Sequence, residues 1–211
     1  MEEQLLLIAE LIGTVAFSLS GAAVALRKDM DLFGIIMLGE CTALGGGVLR
    51  DVMLGIHPPS MFRTPIYAVT AAIAAIVVFL PQVQRLLRGS RAYDIVMLLM
   101  DSLGLGVFTV AGIQTALAES EEYNSFVLVA VGLLTGVGGG VLRDVMAGER
   151  PYIFVRHFYA CASLIGAIIC VLLHNIMSMT AASVVGAVLV MGLRLLAAAY
   201  HWKLPKPQEK Q

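Results

Sequence analysis

The residues best able to do chemistry come in duplicate. GGGVLRDVMLGIHP runs from Gly45 to Pro58 and GGGVLRDVMAGERP from Gly138 to Pro151, each toward the end of a long apolar run. The first copy joins Gly45, Gly46 and Gly47 to Arg50-Asp51, the second joins Gly138, Gly139 and Gly140 to Arg143-Asp144. An arginine at mid-bilayer costs about 2.5–3.5 kcal/mol on insertion scales, and a helical glycine roughly 1 kcal/mol relative to alanine. Costs of that size borne at two equivalent places point to a use. A helix bent at glycines uncovers carbonyl oxygens, which in a constriction replace part of a cation's water shell. Arginines beside such a constriction shape its potential or hold it shut. The plainer alternatives are glycines that let helices pack closely and arginines that snorkel to the headgroups. Adjacent helical residues point apart, so each Arg and Asp is expected to find its partner elsewhere or in water.

A second matched pair lies upstream. ELIGTVAFSLSG (Glu10 to Gly21) resembles DSLGLGVFTVAG (Asp101 to Gly112), and sets Glu10 against Asp101 and Ser18 against Thr109. Carboxylates inside a membrane span default to a functional hypothesis, with helix capping as the rival for Glu10. Hydroxyls at mid-span, including Ser20, either bond to the carbonyl four residues back or line a path.

The elements that must position these residues are membrane spans. The 211 residues are 59% hydrophobic and 14% charged, with a mean hydropathy of +0.87. Soluble domains carry about 25% charged residues. Apolar runs of roughly 20 residues cross a bilayer. They fall at about Leu5–Leu26, Leu32–Leu54, Pro65–Leu80, Tyr93–Ala118, Phe126–Ala147, Ile153–Leu173 and Ala181–Tyr200, which predicts seven transmembrane helices and no soluble domain. The formal net charge of −1 gives no field suited to nucleic acid. Cys41, Cys161 and Cys170 lie in apolar runs and read as buried thiols. No metal-ligand spacing and no nucleophile–base constellation is present, so neither a cofactor nor an enzyme is expected. The acidic MEEQ start, with no small-residue cleavage site after it, predicts no cleaved signal peptide.

Basic residues mark cytoplasmic loops. Arg85, Arg88 and Arg91 follow span three, Arg150 and Arg156 follow span five, and Lys203, Lys206 and Lys210 follow span seven. The N-terminus and the Glu119, Glu121, Glu122 loop after span four are acidic. This alternation predicts the N-terminus outside and the C-terminus in the cytoplasm. The repeat spans both motifs: a shift of 93 positions carries Gly45 onto Gly138 and Pro58 onto Pro151. Spans one to three thus recur as spans four to six. Three spans per unit make the second unit enter from the opposite side, an inverted-topology repeat with its site near the midplane. The predicted division is residues 1–92 and 93–175 for the two inverted three-helix repeats, and 176–211 for a seventh helix with a polar tail.

On the paired GGGVLRDV segments, with FSLSG and DSLGLGVFTVAG, the chain resembles the prokaryotic trimeric intracellular cation (TRIC) channels. The resemblance runs through all seven spans. It implies a homotrimer in the prokaryotic plasma membrane, an hourglass pore in each protomer, and spans two and five kinked at Gly45–Gly47 and Gly138–Gly140. It also implies permeation by potassium, with sodium as the other candidate ion. The animal relatives carry a basic-acidic phosphoinositide-binding motif where this chain has glycines. The same pattern also bears a glycine-transporter label, so a secondary transporter of glycine or another small solute is the alternative.

Overall fold

The computed structural model describes residues 2–120, 122–155 and 158–202. Glu121, Arg156, Lys203, Lys206 and Lys210 lie outside them. Among the described residues all regular structure is α-helical: α1 (Glu2–Arg27), α2 (Leu32–Leu54), α3 (Ser60–Arg63), α4 (Ile66–Phe79), α5 (Pro81–Arg88), α6 (Ser90–Glu119), α7 (Ser125–Met146), α8 (Tyr152–Val155), α9 (Tyr159–His174) and α10 (Met179–Ala199). Among the described residues five helices are long and apolar enough to cross a membrane, and α4 with α5 counts as a sixth if the bent pair is one span. With the shorter apolar α9, seven segments follow the expected spans.

Local chemistry sets the boundaries. Asp31 Oδ1 accepts the Gly34 N–H at 2.8 Å to start α2, and Asn124 Oδ1 accepts the Val127 N–H at 3.0 Å to start α7. Gly55 (φ 74) and Gly148 (φ 67) turn the chain away after α2 and α7 in the left-handed region that glycine enters without a Cβ penalty. Pro81, at the first position of α5, has no N–H to continue α4. The chain bends there by 72° and α5 leaves the span direction, carrying Arg85 and Arg88. The expected sixth span begins later than Ile153. Tyr152–Val155 forms the separate α8, and Phe158, at φ 74, precedes α9.

The two repeats pack alike. α1 lies against α2 and α4, and α6 against α7 and α9, while α1 meets α6 and α2 meets α7 across the boundary. α10 covers α6 and α9. The contacts across the boundary are reciprocal, as a twofold axis demands. A Cβ on Gly13 would meet Phe108, and one on Gly104 would meet Phe17, whose rings stack at 5.3 Å. A Cβ on Gly45 would meet Leu142, and one on Gly138 would meet Leu49. The repeats run in opposite directions: the Arg27 guanidinium at the end of α1 sits 3.5 Å over the Tyr93 ring in the first turn of α6. Lys28 pairs with Glu149 at 2.9 Å, so the loops after α1 and α7 share one face.

Candidate functional site

The glycine triplets form the α2–α7 crossing. A Cβ on Gly46 would fall on the Thr135 carbonyl oxygen, and a Cβ on Gly139 on that of Thr42. Each helix therefore lays bare backbone against the other's carbonyl, and only glycine permits that approach. Gly47 faces Met61, and Gly140 faces the Tyr159 hydroxyl. All six glycines are buried. α2 and α7 run as helix through both triplets, and protein atoms fill the glycine faces. Close packing between the two helices supplies the contacts that a lone glycine-rich helix would lack.

On either side of this crossing lies a buried ionic cluster. In the first, the Arg50 Nε–H donates to Asp51 Oδ1 at 2.7 Å, and Nη1 stands 3.6 Å from Glu10 Oε1. The Tyr67 hydroxyl donates to Glu10 Oε2 at 2.6 Å. In the second, Arg143 Nη1 donates to Asp101 Oδ1 at 2.7 Å and to Ser20 Oγ, while Nε donates to Asp144 Oδ1 at 2.8 Å. Arg50 is 1% exposed and Arg143 0%. This corrects the snorkelling alternative: both guanidiniums turn inward to carboxylates and neither reaches a headgroup.

The adjacent Arg–Asp bonds also correct the expectation that sequence neighbours would seek partners elsewhere. The pairs sit near the C-terminal ends of α2 and α7, where a long arginine can fold back onto its neighbour. Asp51 Oδ2 accepts the Ser60 N–H of α3 at 2.6 Å, and Asp144 Oδ2 accepts the Tyr152 N–H of α8 at 2.8 Å. Each aspartate thus holds its arginine with one oxygen and caps the next short helix with the other.

Glu10 lies in the interior of α1, among buried groups, so it does not cap that helix. Ser18 Oγ donates to the Ala71 carbonyl of α4 at 2.6 Å instead of the carbonyl four residues back. Thr109 bonds to the Leu105 carbonyl at 2.7 Å and to Ser163 Oγ of α9 at 2.7 Å. Both hydroxyls therefore tie the first helix of a repeat to its third. Tyr67, Tyr159 and Arg194 escaped the sequence reading. The two tyrosines are related by a shift of 92 positions, which a search at the motif's own spacing of 93 passes over. Arg194, on α10, places its guanidinium 4.8 Å over the Tyr159 ring. Among the described residues no group of three or more His, Cys, Asp or Glu could hold a metal ion.

Two opposed three-helix units, a packed glycine crossing and a buried guanidinium–carboxylate cluster on each side define a polytopic membrane protein of the inverted-repeat class. The sequence profile of the family described as "Glycine transporter" matches residues 7–82 and 98–175, and the chain belongs to that family. It is 35% identical over 199 residues to the UPF0126 inner membrane protein YadS of Escherichia coli, covering 93% of each chain. A chain solved to establish the structural basis for conductance through TRIC cation channels superposes with a TM-score of 0.85 at 35% identity, covering 97% of this chain and 98% of that one. The TRIC trimeric intracellular cation channel orthologue from Rhodobacter sphaeroides superposes with a TM-score of 0.85 at 29% identity, covering 94% of this chain and 99% of that one.

Proposed function

We propose that this protein is a monovalent-cation channel, permeable to potassium, with an hourglass path inside each protomer that runs between the Arg50 and Arg143 clusters past the glycine crossing. One observation carries the reading. Each cluster sets two buried carboxylates against one guanidinium: Glu10 and Asp51 around Arg50, Asp101 and Asp144 around Arg143. A surplus of buried negative charge favours a passing cation and repels anions. The solved relatives, named as cation channels, support the same class.

On this reading the described conformation is occluded, because Gly46 and Gly139 meet backbone carbonyls. Conduction then requires α2 and α7 to part, which would expose the Thr42 and Thr135 carbonyls to the ion. Ser18 and Thr109 brace the third helices beside the path. The protomers assemble as a homotrimer in the prokaryotic plasma membrane, with the N-terminus outside. That orientation puts Arg50 near the outer mouth and Arg143 near the cytoplasmic one. The units of the assembly are the repeats at 1–92 and 93–175 and the seventh helix with its tail at 176–211.

Purified protein in planar bilayers tests this. Discrete current steps in KCl, reversing near the potassium equilibrium potential, are expected. The family description favours a second reading, a glycine carrier, which would give saturable glycine counterflow from proteoliposomes and no current steps.

A further inference from the structure

The repeat is broken at one polar position. The shift of 91 positions that carries Glu10 onto Asp101 carries Ser20 onto Ala111. Ser20 belongs to the first repeat, yet its Oγ accepts from Arg143 Nη1 in the second. Its own hydrogen points to Met97 Sδ at 3.8 Å, which leaves the oxygen lone pairs for the guanidinium. Arg143 is consequently held from α1, α6 and α7 together, through Ser20, Asp101 and Asp144, with the Tyr152 ring 5.1 Å away. Arg50 has no such cross-repeat bond among the described residues. Ala111 offers no hydroxyl, the Glu10 carboxylate stands at 3.6 Å, and Nη1 of Arg50 makes no hydrogen bond among the described residues.

We infer that Ser20 is a positioning residue that fixes Arg143, and that Arg50, lacking its counterpart, is the arginine that moves when the path opens. The inference rests on the channel reading. A guanidinium held by short bonds from three helices must break several of them to move. One held by a single adjacent aspartate and a distant glutamate keeps most of its freedom. The gate is then one-sided, although the fold is nearly symmetric.

The full-length protein in lipid nanodiscs, labelled with 15N-arginine, tests this by side-chain N–H exchange with water. Arg50 should exchange about tenfold faster than Arg143 or more, the factor that one hydrogen bond to a charged group supplies. Ser20→Ala should speed Arg143 by about tenfold and leave Arg50 unchanged. Ser20→Thr, which keeps the hydroxyl, should retain the slow rate. Ala111→Ser should slow Arg50. In bilayers Ser20→Ala should shift open probability several-fold, and Ser20→Thr should restore it. Equal exchange of the two arginines in the unmodified protein overturns the inference, and so does an unchanged Arg143 rate in Ser20→Ala. If the exchange rates behave as expected while bilayers stay silent in KCl, the positioning role stands and the channel reading fails. If currents appear but the rates are equal, the channel reading stands and the positioning role fails.

Discussion

The carboxylates that face Arg50 and Arg143, Glu10 and Asp101, differ by one methylene, and the hydrogen bonding around them differs too. Glu10 is long enough to take the Tyr67 hydroxyl at 2.6 Å and stays 3.6 Å from its arginine. Asp101 is shorter, pairs with Arg143 at 2.7 Å, and leaves its Oδ2 and the Tyr159 hydroxyl without hydrogen-bond partners among the described residues. Beneath the third glycine the contrast continues: Met61 fills the space at Gly47, and the Tyr159 hydroxyl faces Gly140. The first cluster satisfies its tyrosine and loosens its arginine, and the second does the reverse. A duplicated backbone can thus hold two unequal sites through a few side-chain differences, with no change in topology.

Removal of each arginine should break this comparison most strongly. Arg143→Met strands Asp101 and Asp144 at full burial and should cost about 3–5 kcal/mol, read as a lower thermal unfolding midpoint in detergent. Arg50→Met should cost clearly less, because its Glu10 partner keeps the tyrosine bond. Equal losses would show that the longer pair is no weaker. The crossing itself comes next. Gly46→Ala and Gly139→Ala each drive a methyl onto a carbonyl oxygen and should each cost roughly 1–3 kcal/mol, by nearly the same amount. Unequal costs in the same unfolding assay would mean that the twofold relation is geometric only. The smallest contrast lies in the tyrosines. Tyr67→Phe should lose roughly 1–2 kcal/mol with its bond to Glu10. Tyr159→Phe removes a hydroxyl that has no hydrogen-bond partner among the described residues and should leave the midpoint unchanged or slightly raised.

Much of the architecture was legible because its signals are local or duplicated. The apolar run Leu32–Leu54 is α2 as it stands, and Ile66–Phe79 lies within the run read from Pro65 to Leu80. Glu10, Asp101, Arg50, Asp51, Arg143 and Asp144 stood out as charges inside apolar sequence, and the structure brings them together as two sets of three. What the sequence could not show depends on depth and side-chain reach. Whether a glycine triplet breaks a helix or seats it against a neighbour is decided by what crosses it, here a carbonyl from the opposite repeat. Whether Arg50 bonds to Asp51 depends on a side chain folding back at a helix end, which spacing rules drawn from helix interiors do not describe. Tyr67 and Tyr159 carry polarity at span ends, where tyrosine usually reads as an interface anchor. Ser20 is a lone serine until its counterpart Ala111 is set beside it.

The short third helix of each repeat has a consequence for the lipid. α4 has 14 residues and α9 has 16, so they rise only about 21 and 24 Å. A hydrocarbon layer about 30 Å thick overhangs both, while the 26 residues of α1 and the 30 of α6 outreach it. A bilayer around the chain would thin beside α4 and α9, while α1 and α6 would tilt to fit it. Acyl-chain length would thereby load both halves of the fold through the same element.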